Sequence, residues 1–227
     1  MNIKKDFRKF AISNTNVRRS VLDSYDKNSI KNMQSPYILE ERTLNVTQLD
    51  IYSRLFLDRI LFFNSSVNAE TMSILQAQLL YLDSTEQGKD ISIYINSGGG
   101  EVYSGLALVD TMNFIKSPVS TLCSGMAASM AAVILSCGEK GKRFILPHSR
   151  VMIHQPLGGV NGQASDIEIS YKEIEKVKKE LYTILSETSG QTYDKVEVDC
   201  DRDYWMTSNE SIEYGLVDKL ISNTNEK

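Results

Sequence analysis

Hydrophobic and polar positions repeat at two periods along this chain. Met72, Leu75, Leu79 and Leu82 recur at intervals of three and four after the polar run Asn64-Ser65-Ser66, which predicts a helix. Ile91-Ser92-Ile93-Tyr94-Ile95 is rich in β-branched residues and predicts a strand. It leads directly into Asn96-Ser97-Gly98-Gly99-Gly100, after which Val102, Leu106, Val109 and Met112 predict a second helix. Residues 119–123 predict another strand, 124–129 a turn of small residues, and the stretch up to Gly138 a short helix. Short apolar runs at 59–63, 143–146 and 151–153 read as further strands. A loop with Pro156, Gly158, Gly159 and Gly162 precedes the longest predicted helix, 166–188, with Ile167, Ile174, Val177, Leu181 and Ile184 on one face and Gly190 at its end. Thr207-x-x-Glu210 is a capping-box signature for a last helix stopped by Gly215. Strands alternating with helices predict an α/β fold with largely parallel strands.

Charge divides the chain. Residues 1–36 hold eight Lys/Arg against three Asp/Glu, a balance of +5, and the remainder holds 17 against 26, a balance of −9. The first segment has little apolar periodicity and lacks the apolar stretch of a secretory signal, so 1–36 is expected to be a basic extension with Pro36 as its boundary. Residues 37–227 are then one domain, a size that supports a substantial core. A net charge of −4 argues against a general nucleic-acid binder. No apolar run reaches the roughly 18 residues of a membrane span. Three cysteines without a pairing pattern favour a reducing, cytoplasmic setting over a disulfide scaffold. Cys and His do not cluster at metal-ligand spacing, so neither a metal nor a cofactor is expected.

The candidate chemistry lies at two strand-to-helix turns, 96–100 and 124–129. Glycine lets a ligand approach backbone N–H groups, and a helix start presents unpaired donors. Such turns suit a phosphate, a carboxylate or an acyl-transfer oxyanion. Neither matches the G-x-x-x-x-G-K-[ST] pattern of a phosphate-binding loop. In the second turn Ser129 has Ala127 two residues before it and Ala131 two after, which is the steric content of a nucleophile elbow. A serine nucleophile needs a base, and the chain has two histidines. His148 lies in a polar turn; His154 ends an apolar strand before a Pro/Gly loop, where α/β sheets tend to bind ligands. Spacing alone does not single out an orienting carboxylate.

Gly125-Met126-Ala127-Ala128-Ser129-Met130, Val151-Met152-Ile153-His154-Gln155-Pro156-Leu157-Gly158-Gly159 and Asp201-Arg202-Asp203 together resemble the family of Clp protease proteolytic subunits. Asp-Ile-Tyr-Ser-Arg-Leu at 50–55, Ile-Asn-Ser at 95–97, Gly-Lys-Arg-Phe at 141–144 and Glu-Tyr-Gly-Leu-Val-Asp at 213–218 are similar as well. The blocks stand in family order from about residue 36 to about 221. The resemblance implies a crotonase-like α/β fold of stacked strand-strand-helix units with a protruding long helix, and a serine endopeptidase. It makes Ser129 the nucleophile, His154 the general base and acid, and Asp203 the orienting carboxylate, with Asp199 and Asp201 as close rivals. It makes the amides of Gly100 and Met130 the oxyanion donors, and puts Gly99, Glu101 and Leu157 where substrate binds.

The same resemblance implies two stacked seven-membered rings enclosing the active sites. It implies a separate Clp-type ATPase that delivers unfolded polypeptide, and no nucleic acid or membrane partner. The long helix would interlock the rings, Arg202 would pair across their interface, and 37–50 would be an axial pore loop. Tyr94 and Phe114 match aromatic positions where the ATPase docks, with core packing as the alternative for each. A propeptide within 1–36, removed by self-cleavage, is also expected. Two departures stand out. The family usually has Pro at Gly98, so the turn here should be looser, and Glu101 brings a carboxylate next to the oxyanion site unless it points away. A scaffold subunit without activity, or an acyl-CoA enzyme of the same fold, would not account for the retained Ser129, His154 and Asp203.

Overall fold

The computed structural model describes residues 37–42 and 45–222. The expected extension 1–36 lies outside the described residues. Two units are distinguished, residues 1–58 and 59–227. In the first, the segment expected to form an axial loop is a hairpin. Strand β1 (Tyr37–Arg42) pairs antiparallel with β2 (Asn45–Asp50), Tyr37 opposite Asp50 and Arg42 opposite Asn45. Helix α1 (Ile51–Leu57) follows at once, because the Asp50 carboxylate accepts from the amides of Tyr52 at 3.0 Å and Ser53 at 3.1 Å.

The second unit is a seven-stranded sheet with helices between its strands. Strands β3 (Ile60–Phe63), β4 (Ile91–Ser97), β5 (Val119–Ala128), β6 (Arg143–Ile145) and β9 (Lys219–Leu220) lie side by side in that order, all parallel. Strand β7 (Arg150–Ile153) adds parallel to the far end of β5, and β8 (Tyr204–Met206) adds antiparallel to β7. Helix α2 (Ala69–Thr85) joins β3 to β4 and α3 (Val102–Phe114) joins β4 to β5. Helix α4 (Met130–Ser136) follows β5, α5 (Ala164–Ser189) and α6 (Tyr193–Asp199) separate β7 from β8, and α7 (Ser208–Tyr214) leads to β9. Ile91, Ile93 and Ile95 point inward from β4 with no exposed area. Each such side chain contributes about 1.5–3 kcal/mol by leaving water. The predicted capping box of α7 forms, with Thr207 accepting from the Glu210 amide and Glu210 from the Thr207 amide.

Three features differ from the sequence expectations. The stretch 124–129 is not a turn: β5 continues through Ala128 and changes partner midway, pairing with β6 at 121–123 and with β7 at 126–128. The small residues serve that change. Gly125 takes φ 112°, and a Cβ there would lie 2.7 Å from Asn96 Oδ1. Ser149 bridges the junction, its hydroxyl accepting from the Gly125 amide at 2.9 Å and donating to the Cys123 carbonyl at 3.0 Å. The long helix buries only its second half, through Val177, Leu181, Tyr182 and Leu185; Ile167, expected on the inward face, is exposed along with Ile169 and Tyr171. Core packing fails for Phe114, which is 80% exposed, whereas Tyr94 is half-buried and stacks on Phe62 with ring centroids 5.3 Å apart.

Two buried arginines tie the layers together. Arg59 donates to the carbonyls of Leu82, Lys89 and Asp90 and to Ser117 Oγ, closing the end of α2 over the start of β4. Arg143 grips the Asp218 carboxylate through Nη2 at 2.6 Å and Nε at 3.0 Å, and donates to the carbonyls of Ser136 and Thr188. It thereby joins the ends of α4 and α5 to the segment that leads into β9.

Candidate active site

The site forms where β5, β7 and β8 end together. Ser129 follows β5 with φ 56° and ψ −129°, a conformation that costs a non-glycine residue about 1–3 kcal/mol. Its amide donates to the Met152 carbonyl of β7 at 2.9 Å, so the bend is pinned to the neighbouring strand. Ala127 and Ala131 are fully buried on either side, which leaves room for the bend. His154 follows β7. The antiparallel register sets Ile153 opposite Tyr204, so the next pair outward is His154 and Asp203.

The three side chains meet in one chain of hydrogen bonds. His154 Nε2 lies 2.8 Å from Ser129 Oγ and Nδ1 lies 2.9 Å from Asp203 Oδ1. The rival carboxylates are engaged elsewhere. Asp199 accepts from Tyr214 Oη at 2.9 Å and from Lys195 Nζ at 2.6 Å, and Asp201 faces Arg202 at 3.5 Å. Gln155 holds the 200–203 segment against β7: its amide donates to the Cys200 carbonyl and its side chain to the Asp201 carbonyl. His148 is exposed on its turn.

Beside the hydroxyl lie two amides. Met130 begins α4, so its N–H has no intrahelical acceptor. Val67 bridges Gly100: the Gly99 carbonyl accepts from the Val67 amide, and the Glu101 amide donates to the Val67 carbonyl, each at 2.9 Å. Alternation along the chain then turns the Gly100 N–H away from Val67. The close approach requires glycine. A Cβ on Gly99 would lie 2.7 Å from Ser129 Cβ and 2.9 Å from the Met130 nitrogen, and Gly100 takes φ 150° with its Cα against the Val67 carbonyl. Ser97 steadies the arm from below, accepting from the Gly99 amide at 3.2 Å and donating to the Ser65 carbonyl.

Gly99, Gly100, Ser129, Met130 and His154 line one cavity of about 270 Å³. Beyond Gly98, its remaining wall is apolar: Val102, Val133, Ile153, Pro156, Leu157, Leu181 and Leu185. Among the described residues no Lys, Arg, Asp or Glu lines it. Val102, Val133, Leu181 and Leu185 escaped the sequence reading, since helical periodicity marks them as inward-facing without saying what they surround. Glu101 stands outside the lining; its carboxylate accepts from Ser104 Oγ at 2.8 Å over the first turn of α3. Arg202 is exposed and donates to the Asp201 carbonyl at 2.7 Å. Among the described residues no His/Cys/Asp/Glu cluster could hold a metal ion, and no helix is long and apolar enough to cross a membrane.

A hydroxyl, an imidazole and a carboxylate in line, beside two free amides at the end of a parallel sheet, define the class of α/β serine hydrolases. The sequence profile of the Clp protease family matches residues 43–224. A protein of Bacteroides fragilis described as an ATP-dependent Clp protease proteolytic subunit is 60% identical over 216 residues, 95% of this chain and 98% of that protein. Proteins of the same description from Bacteroides thetaiotaomicron and Porphyromonas gingivalis are 60% and 56% identical over 95% of this chain and 98% and 97% of theirs. The chain belongs to the Clp protease family, a family of serine peptidases with a crotonase-like α/β fold.

Proposed function

We propose that the chain is the proteolytic subunit of an ATP-dependent Clp protease in which Ser129, His154 and Asp203 cut peptide bonds. The observation that carries this reading is the unbroken relay from Ser129 Oγ through the imidazole to Asp203 Oδ1, with steps of 2.8 and 2.9 Å. Ser129 Oγ attacks the peptide carbonyl while His154 Nε2 takes its proton. Asp203 holds Nδ1–H, which keeps the attacking-side nitrogen unprotonated beforehand and stabilises the imidazolium afterwards. The Gly100 and Met130 amides receive the carbonyl oxygen as it gains charge; losing one such donor typically costs about 10²–10³ in rate. His154 then protonates the leaving amine, and water releases the acyl group by the reverse sequence. The apolar wall of the cavity accepts an uncharged side chain next to the scissile bond, with Gly99 and Leu157 at its edge. Because Glu101 turns onto α3, its carboxylate does not oppose the oxyanion.

The description that the relatives share and the resemblance support the rest of the reading. The subunit works in the cytoplasm within two stacked seven-membered rings, into which a Clp-type ATPase feeds unfolded polypeptide. The exposed Phe114 and the half-buried Tyr94 are docking positions for that ATPase, and Arg202 pairs across the ring interface. A fluorophosphonate probe tests the chemistry: it should label Ser129 in the assembled protein. Label should be absent from Ser129→Ala and strongly reduced in His154→Ala. Equal labelling of wild type and Ser129→Ala would remove the reading.

A further inference from the structure

The two amides assigned to the oxyanion belong to different elements. Gly100 leads into α3, and Met130 begins α4. Something must fix their separation, since a donor misplaced by an ångström loses much of its effect on the transition state. The Met130 side chain makes a contact that spans the gap. Gly105 lies one turn into α3, where its amide donates to the carbonyl of Glu101, the residue after Gly100, at 3.1 Å. The Met130 side chain lies across it. A Cβ built on Gly105 would lie 2.8 Å from Met130 Cε and 3.0 Å from Sδ, and closer still to Cγ. Met130 is 2% exposed and Gly105 is buried, so the contact lies out of reach of bulk solvent.

We infer that Gly105 is a positioning residue for the peptidase reaction: by leaving a Cβ-sized gap on α3 it seats the Met130 side chain, and this contact sets the distance between the Gly100 and Met130 amides. The inference rests on the catalytic reading above. Glycine inside a helix is normally unfavourable relative to alanine, so the gap is kept against the local preference of α3. The dry contact also explains why the residue after the nucleophile is long and flexible. Three atoms beyond Cβ reach from the start of α4 to the backbone of α3, and a short side chain would leave the two donors tied to each other through the sheet and the Gly99 backbone, with no side-chain strut between the helices. Ser129 and His154 do not touch Gly105, and their spacing is held independently by the β5–β7 ladder. A fault at Gly105 should therefore weaken the stabilisation of the tetrahedral intermediate and leave the relay and the apolar cavity intact.

The test is a double-mutant cycle on the assembled protein, read with a peptide substrate and with a peptide boronate whose adduct with Ser129 is tetrahedral. Gly105→Ala should lower kcat about 10- to 100-fold, change KM less than twofold, and weaken boronate binding by the same factor as kcat. Met130→Ala alone should also lower kcat, because it removes the contact. In the Met130→Ala background the further change Gly105→Ala should alter kcat less than twofold, since no Cγ remains to be displaced. Equal loss in both backgrounds would overturn the inference, as would wild-type kcat in Gly105→Ala. If Gly105→Ala does not fold, Met130→Ala decides: wild-type kcat and boronate affinity in that variant overturn the proposal, and a parallel loss of both supports it. Failure of wild type to label at Ser129 would count against the catalytic reading and not against this contact.

Discussion

Replacing Asp218 by Asn probes the junction on which the nucleophile's helix depends. Asp218 accepts from Arg143 Nη2 and Nε and from the backbone amides of Gly141 and Arg143, and the two side chains are 14% and 4% exposed. Asn keeps the shape and one acceptor but leaves the guanidinium without its counter-charge. Removing one member of a buried pair costs about 3–5 kcal/mol. For a chain of this size about 2–4 °C of thermal midpoint accompanies each kcal/mol, so a drop of about 6–20 °C is expected. The pH dependence gives an independent check. Burial alone would raise the Asp218 pKa, but the hydrogen bonds from Arg143, its charge and the Gly141 amide bring it below the ordinary 3.8. A carboxyl whose folded pKa is depressed stabilises fully above its unfolded value and loses that contribution as pH falls through the folded one. The gap between wild type and Asp218→Asn should thus be widest at pH 7 and narrow below about pH 4. Urea unfolding followed by far-UV circular dichroism at pH 7, 4 and 3, at one fixed protein concentration, measures both quantities. A gap under 1 kcal/mol at pH 7, or one that does not change with pH, refutes the reasoning. The double variant Arg143→Met/Asp218→Leu should recover only part of the loss, because the Ser136 and Thr188 carbonyls lose their donor as well.

Three further outcomes are expected. Asp203→Asn should lower kcat about 10²–10³-fold with little change in KM; a buried orienting aspartate is worth about 10⁴, and this one is 60% exposed, so water replaces part of its effect. Gly98→Pro should raise stability by up to about 1 kcal/mol and raise kcat, since Gly98 is not among the positive-φ glycines and a Cβ there meets only Met126 Cε at 3.9 Å; unchanged turnover would show that looseness at Gly98 is irrelevant. Burial pushes the thiols of Cys123, Cys137 and Cys200 up to about 12, so all three are neutral at pH 8 and iodoacetamide should modify the native protein slowly and the denatured protein fully.

Much of this architecture was legible because its parts obey simple periods. β4 alternates, α2 and α3 repeat at three and four, and both helix-ending glycines at 190 and 215 adopt the left-handed conformation. Ser129 stood out through its small neighbours. His154 differed from His148 by its place at the end of an apolar strand, but nothing in the spacing separated Asp203 from Asp199 and Asp201; that choice came from the resemblance, and the geometry brings His154 and Asp203 to the hydroxyl. Strand β8 is three residues long, too short to display a period, yet it presents Asp203. Nothing in the sequence marks Arg59 and Arg143 for burial, since charged residues are mostly exposed, and only the tertiary arrangement supplies the carbonyls and the carboxylate that let them be buried. The run 124–129 looked like a turn since small residues mark turns and strand junctions alike. The exposed first half of α5 follows the same apolar period as its buried second half; sequence periodicity reports a face, not what covers it.

The relay runs across the strands, one member from beside the end of each of β5, β7 and β8, so the backbones that carry it are spaced by the repeat of the sheet, about 4.8 Å between neighbours, and the side chains close the rest. Activity is therefore a sensitive readout of strand alignment. Sliding β8 by a single residue would swing its carboxylate to the opposite face and strand the imidazole without its anion, however well the rest of the molecule held together. Three residue pairs, Val151 with Met206, Met152 with Trp205 and Ile153 with Tyr204, hold that alignment at the margin of the sheet.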